Sequence, residues 1–364
     1  MPLKLESLQT QISKKKYDWT AGETSVSNLS SGEVEGCLGL IVTEAELAAT
    51  ATAVKAAENL NKTFAAAYPE AFASPSAIDW RNNGGNYTTP IKNQNPCGSC
   101  VSFGTLATIE SRMKIKCQTP NVNPDYAEAF LFYCGCGTCC GTGWNFAPAL
   151  DFCKNTGVAK ETAFPYTPVN QPCKAGVTPD FKITAWTTVL SVADRKNIIS
   201  SKGPVVGGME VYTDFFSYTG GVYKHTSGDL EGYHAISVVG YDDVNKCWIC
   251  KNSWGTGWGE SGWFKIGYGQ CKIDTDFAFY DVSLNCYPPP PVNNQCEQYI
   301  PVLKNVLLFS QTNATLKRCL RYHVCHKPGI PPICLPSFMS VVNLVNRILQ
   351  LCPQYRKPFC DALG

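Results

Sequence analysis

Two cysteines three residues apart, Cys97 and Cys100 in NQNPCGSCVSF, stand just before a run with Val101, Phe103, Leu106, Ile109 and Met113 at near-helical spacing. A cysteine that opens a buried helix meets unpaired backbone N–H groups and the positive end of the helix dipole, which favour thiolate over thiol. Cys100 holds that place, whereas Cys97 lies one turn earlier in a loop. Attack of a thiolate on an amide carbonyl also requires a group that holds and delivers a proton, a group that orients it, and a donor for the developing oxyanion. The chain has four histidines. His225 in VYKHT, and His323 and His326 flanking Cys325, have no catalytic-looking companions in the sequence. His234 opens the apolar run of GYHAISVVGYDD and precedes KNSWGTGWGESGWF, where Asn252 is suited to hydrogen-bond an imidazole and fix its tautomer. An amide serves there because a resting thiolate and imidazolium pair needs no carboxylate to create it. A single histidine is ordinarily structural; beside Cys100 and Asn252, His234 reads as an acid and base.

The elements that must hold these groups follow from the texture of the chain. Residues 1 to about 75 are a prelude, polar and acidic at first and then alanine-rich and helical in EAELAATATAVKAAENLNKTFAAAY. From AIDW at 77–80 the sequence turns to glycines, aromatics and cysteines, with a mostly buried helix from Cys100 to Lys116. After residue 180, short runs such as PVVGGMEVY, HAISVVGY, CWICKNSW and FAFYDVSL alternate with glycine-rich turns and predict a curled antiparallel sheet. YPPPPVNN at 287–294 is a proline-rich spacer, and residues 295–364 form a separate helical module with six cysteines. Such a small core needs disulfides to supply the missing stability.

NQNPCGSCVSF, GYHAISVVGY and KNSWGTGWG, in this order, resemble the three signatures of the papain and cathepsin family of cysteine peptidases. The resemblance covers residues 77–286. It implies an α+β fold of two lobes, a helical one carrying Cys100 and a β-barrel one carrying His234 and Asn252, with an extended peptide bound between them. It implies Cys100 as nucleophile, His234 as acid and base, Asn252 as its orienter and Gln94 as side-chain donor of the oxyanion hole. By the same likeness Trp254 shields the Asn252 to His234 hydrogen bond and Trp258 walls the leaving-group side. Gly143 and Trp144, in CCGTGWNF, match the glycine-rich loop that pairs with substrate backbone. Asp276 falls at the floor of the second specificity pocket, with Tyr233 and Gly208 along its side; the other reading makes Asp276 a solvated turn carboxylate. Val101 replaces the usual aromatic, and Asn95 and Pro96 replace the usual glycine and serine, which alters the cleft rim. The N-terminal segment is shorter than the family's common proregion and lacks its long helix signature.

The same likeness pairs Cys97 with Cys140 and Cys134 with Cys173. Cys117, Cys136, Cys139, Cys153, Cys247, Cys250, Cys271 and Cys286 stay unassigned, and a zinc knuckle is the rival reading of CGCGTCC. Thirteen cysteines in residues 76–286 leave an even number once Cys100 is set aside, and the tail holds six. Cys37, in EVEGCLGL, is therefore odd: it either latches Cys100 as a disulfide in the precursor or is free or intermolecular.

Twenty cysteines and four N-x-S/T sequons, at Asn28, Asn61, Asn86 and Asn313, point to a glycoprotein of an oxidising compartment, secreted or lysosome- and vacuole-like. The start, MPLKLESLQTQISKKK, lacks the apolar core of a secretory signal. A net charge of +2 with no long charged run gives no footprint for nucleic acid or an anionic surface across the whole chain. The expectation is a monomeric zymogen of an endopeptidase, needing no cofactor or metal, with polypeptide substrates and its own prosegment as inhibitor. The rivals are a silent binding protein on the same fold, or a ligase or exopeptidase. For the tail, lipid contact, partner docking and simple stabilisation stay open.

Overall fold

The computed structural model describes residues 4–67, 74–286, 299–326 and 334–363. They belong to two compact units, residues 1–287 and 288–364. The proline-rich stretch 287–294 lies outside the described residues, as does the tail's first cysteine, Cys296.

The first unit opens with α1 (Leu5–Lys14), β1 (Thr20–Ala21), α2 (Ser31–Cys37) and α3 (Glu44–Ala67). Capping boxes start both later helices: Ser30 with Glu33 at α2, and Thr43 with Glu46 ahead of α3. This N-terminal segment is no loose prelude, because Leu8, Ile12, Trp19 and Val26 are buried in the same core as Tyr218, Tyr223 and Trp258. Next come β2 (Ala77–Asp79), α4 (Cys100–Cys117), α5 (Glu128–Gly135) and α6 (Phe146–Asn155). Every residue of α4 from Cys100 to Lys114 is buried, so this helix is the pillar of the unit.

The remaining elements are β3 (Ala185–Val189), α7 (Val192–Lys202), β4 (Val205–Tyr212), β5 (Tyr218–Gly220), β6 (Val222–Tyr223), β7 (Leu230–Asp242), β8 (Cys247–Lys251), β9 (Trp263–Gly267) and β10 (Phe279–Ser283). The main sheet runs β3-β10-β4-β7-β8-β9-β6, with β2 added to β7. The expected antiparallel pairing holds except at β6, which lies parallel to β9. The two-stranded β1-β5 pair sits apart from this sheet.

The halves meet where α4 crosses β7. Gly104 permits this: a Cβ there would lie 3.3 Å from the carbonyl carbon of Ile236. One turn on, the Thr108 and Ser237 hydroxyls are 2.8 Å apart. Arg112 then donates to the Val282 carbonyl and pairs with Asp281, which also receives Lys202. The end of α4 is tied to the end of the unit by Cys117–Cys286.

The second unit contains α8 (Ile300–Thr312), α9 (Ala314–His323), α10 (Pro336–Leu351) and α11 (Arg356–Leu363). Leu316, Leu320, Val345, Ile348 and Phe359 fill its core, which is stapled by Cys319–Cys334 and Cys325–Cys360. The two bridges cross in sequence, so they knit the helices rather than nest one loop inside another. No described helix is long and apolar enough to cross a membrane.

Candidate active site

Cys100 opens α4 and His234 lies in β7, so the close crossing of those elements brings the two lobes' chemistry together. Cys100 Sγ accepts from the Ala235 N–H at 3.4 Å. The imidazole Nε2 of His234 meets Asn252 Oδ1 at 2.8 Å, and the Trp254 ring covers that contact with centroids 4.9 Å apart. Among the described residues, no hydrogen-bond partner reaches His234 Nδ1 or Asn252 Nδ2.

The expected thiolate and imidazolium pair is not the favoured state of this covered form. Burial pushes the Cys100 thiol up to about 12, against the pull of the Ala235, Val101 and Cys100 backbone N–H groups. Burial also drags His234 down to about 4, with the Asn252 hydrogen bond opposing. Both shifts have one cause: the site is sealed, and charge is costly without water.

The seal is the last turn of α2 and the segment just after it. The Gly36 carbonyl accepts from Gln94 Nε2 at 3.4 Å, and that amide is held by Ser253 Oγ donating to Gln94 Oε1 at 2.6 Å. Trp254 Nε1 donates to the Cys37 carbonyl at 2.8 Å. Gly39 and Leu40 N–H groups point at the Tyr233 carbonyl, Trp144 N–H donates to Gly39 O at 2.8 Å, and Ile41 N–H donates to Trp144 O at 2.9 Å. Leu40 and Trp144 form a parallel bridge. The backbone of the glycine-rich loop is thus engaged through Trp144. Gly143 supplies clearance, since its Cβ would lie 2.2 Å from Gly39 O.

Leu40 lies against Gly208 and Phe277: a Cβ on Gly208 would sit 2.6 Å from both side chains. Phe277 is the residue the sequence reading missed, one position beyond Asp276. Asp276 is half-buried, lines the adjoining cavity of about 240 Å³ with Leu40, Phe146 and Tyr280, and faces Lys272 at 4.0 Å. Tyr233 closes the side of the pocket, its ring edge-on to Phe277 and its hydroxyl donating to Glu44 at 2.8 Å. Trp258 is fully buried between Phe215, Tyr218 and Trp254, donating from Nε1 to Phe215 O.

Two further groups escaped the sequence reading. Beneath Asn252, Lys92 contacts Glu128 at 2.8 Å and Asp125 at 2.7 Å, while Lys251 donates to Thr89 and Thr89 to Glu110. Burial draws the Lys251 ammonium down to about 8. His225, dismissed for want of companions, faces the buried carboxylate of Asp214 at 3.2 Å and stacks on Tyr212.

The cysteines divide between bonds and apolar burial. Cys97 is bonded to Cys140, Cys134 to Cys173 and Cys136 to Cys139, so every cysteine of CGCGTCC is in a disulfide. The even count did not mean full pairing: Cys153, Cys247, Cys250 and Cys271 are free and buried, where desolvation raises each thiol. Cys37 and Cys100 are also unbonded, and Cys37 Sγ donates back to Glu33 O at 3.7 Å.

Residues 74–280 match the family model described as papain family cysteine protease. Cysteine proteinase 2 of Entamoeba histolytica is 34% identical over 223 residues, covering 56% of this chain and 67% of the relative. Fruit bromelain of Ananas comosus is 32% identical over 236 residues, covering 63% of this chain and 65% of the relative. The chain therefore spans about two thirds of the length of these curated relatives. A recombinant stem bromelain precursor superposes with a TM-score of 0.59 at 25% identity, over 77% of this chain and 88% of that one. The procathepsin B S9 of Trypanosoma congolense gives 0.60 at 22% identity, over 77% and 98%. With more than half of the sequence inside the family model and the cysteine, histidine and asparagine converging across two lobes, this chain belongs to the papain family of cysteine proteases.

Proposed function

We propose that Cys100, His234, Asn252 and Gln94 carry out peptide-bond hydrolysis in this papain-family endopeptidase, and that residues 36–42 hold the precursor silent. The observation that carries this reading is the Gly36 carbonyl lying against Gln94 Nε2 while the chain runs on past Gly98, with Cys100 fully buried. A substrate carbonyl needs that donor, so the plug and a substrate are mutually exclusive. Once the plug leaves, water re-enters, and the uncovered thiol is free to pass its proton to His234 Nδ1. Sulfur attacks the carbonyl carbon, Gln94 and the helix-start N–H stabilise the oxyanion, and His234 protonates the leaving amine to give the thioacyl-enzyme. His234 then takes a proton from water, whose oxygen displaces Cys100. Leu40 in the Gly208 and Phe277 pocket supports an apolar residue there, with Asp276 lining the same cavity beside Leu40 and Phe277.

A disulfide between Cys37 and Cys100 is the covalent form of this block. The Cys37 thiol turned toward Glu33 supports the non-covalent form instead. The same sealed cleft is what a silent binding protein on this fold would lack reason to build. The test is labelling by an epoxide or vinyl-sulfone cysteine probe before and after removal of residues 1 to about 75. Labelling of Cys100 only after removal, and a fall in kcat of about 10²–10³-fold in Gln94→Ala, is the expected result. An unlabelled Cys100 in both forms refutes it.

A further inference from the structure

The modest charge of the whole chain hides an imbalance. Residues 288–364 hold eight Lys and Arg against two Asp and Glu, a net +6, in a protein of net +2, so the rest carries −4. The helices α8, α9 and α10 contain no acidic residue at all. A helical module designed only to stay dissolved interleaves both signs, with carboxylates one turn from the cations.

The same unit is also rich in exposed apolar side chains. Of the eleven large hydrophobic residues exposed in the described protein, five lie between 299 and 363. On α8, Leu308 is 61% exposed and Phe309 55% exposed, and Lys304 stands one turn before Leu308 on the same outward stripe. On α10, Leu344 is 48% exposed and Arg347 follows it by three positions, also outward. Lys304, Arg318, Arg321 and Arg347 have no ion-pair partner among the described residues. The unit's interior is already closed by its own leucines and valines, so these outer residues are not needed for packing.

We propose that the outer faces of α8 and α10 bind an anionic lipid surface. Leucine and phenylalanine flanked by cations with flexible stems match a bilayer interface, where apolar groups enter the acyl boundary and ammonium or guanidinium groups reach back to phosphates. Charge alone would suit any polyanion; the exposed Leu308, Phe309 and Leu344 select the lipid. The peptidase would thereby be delivered to a membrane face as a peripheral protein.

The test is flotation of the full-length Cys100→Ser chain with vesicles of phosphatidylcholine alone or with 30% phosphatidylserine. Co-flotation with the anionic vesicles is expected, with little on phosphatidylcholine. Raising salt is expected to weaken it, and each charge removed by Lys304→Gln or Arg347→Gln to weaken it about fivefold. The pair Leu308→Ser with Phe309→Ser is expected to lower binding at least about tenfold while the thermal melt is unchanged, since both side chains face solvent. Failure to float with anionic vesicles at low salt overturns the proposal. So does full binding by the Leu308→Ser, Phe309→Ser chain, or retention on heparin without any vesicle binding, either of which makes the face a general polyanion site. Peptidase activity is not read, so the outcome is independent of the function proposed above.

Discussion

The N-terminal segment attaches in two different ways. Its first part, residues 5–29, docks chiefly by side chains beside the short β1-β5 backbone pairing: Trp19 is 1% exposed, packs edge-on to Tyr223 and donates from Nε1 to Thr226 Oγ1, while Leu8, Ile12 and Val26 fill the surrounding core. Its second part, residues 36–42, buries Cys37, Leu38 and Leu40 but makes its polar contacts by backbone, with carbonyls and N–H groups against Gln94, Trp254, Tyr233 and Trp144. The first is an anchor whose strength scales with buried apolar area. The second is a plug set by backbone clearance, with Leu40 seated against Gly208 and Phe277. The contrast teaches that affinity and blockade are built separately, so each should fail separately.

The largest effect is expected at the anchor. Trp19→Ala removes a fully packed indole and its hydrogen bond, a loss of about 4 kcal/mol or near a thousandfold in the closed population. Probe labelling of Cys100 in the uncut precursor should rise accordingly. Unchanged labelling would mean that the plug holds itself.

Acid is the next lever, and it acts on the plug. His234 is buried neutral at about 4, against an ordinary value near 6.5. Because the covered state has the lower value, protons bind the opened state preferentially: closure is at full strength above about 6.5 and weakens as pH falls toward 4. The difference is on the order of 3 kcal/mol at the low end. Labelling or self-cleavage of the precursor measured from pH 7 to 4 should climb across that window, with the anchor still docked. A rate flat over the window would show that His234 is not what acid acts upon.

These two regions were unequally legible in the sequence. Cys100, His234 and Asn252 were readable because each sits in a contiguous motif at an element's start or end, where local pattern and chemistry coincide. The plug was legible only through the odd Cys37 of EVEGCLGL; the passage of Gly39 against Gly98 shows only in the fold. Phe277 was not read beside Asp276 because the segment after β9 makes a short turn in which Cys271 and Lys272 adopt positive φ, and no periodicity counts through such a turn. The cluster of Lys92, Glu110, Glu128 and Lys251 was invisible for a related reason: its members come from four distant stretches, joined only by folding. The free buried thiols stayed unassigned because parity treats cysteine as a bonding residue, whereas in β8 Cys247 and Cys250 serve as small apolar ones.

The plug can be loosened without touching the anchor. Gly39 has φ of +151°, and a Cβ would fall 2.1 Å from Gly98 O, which is backbone and cannot yield cheaply. Gly39→Ala should therefore cost about 2 kcal/mol of closure. Cys100 labelling in the precursor should rise about thirtyfold, while tryptophan emission from the docked Trp19 stays as it was. Equal changes in both signals would dissolve the distinction between anchor and plug.

The smallest effect tests whether the plug is also tethered from behind. Asn61, near the end of α3, donates to Ser191 Oγ at 2.5 Å and to Asp194 at 3.0 Å, joining the helix to the N-terminus of α7. This contact is half-exposed and α7 keeps its own cap from Ser191, so Asn61→Ala should cost only about 1 kcal/mol, or a fivefold rise in labelling at most. A rise matching that of Gly39→Ala would place the blockade in α3 gripping the far side of the plug, and the segment would then have two anchors with the cleft strung between them.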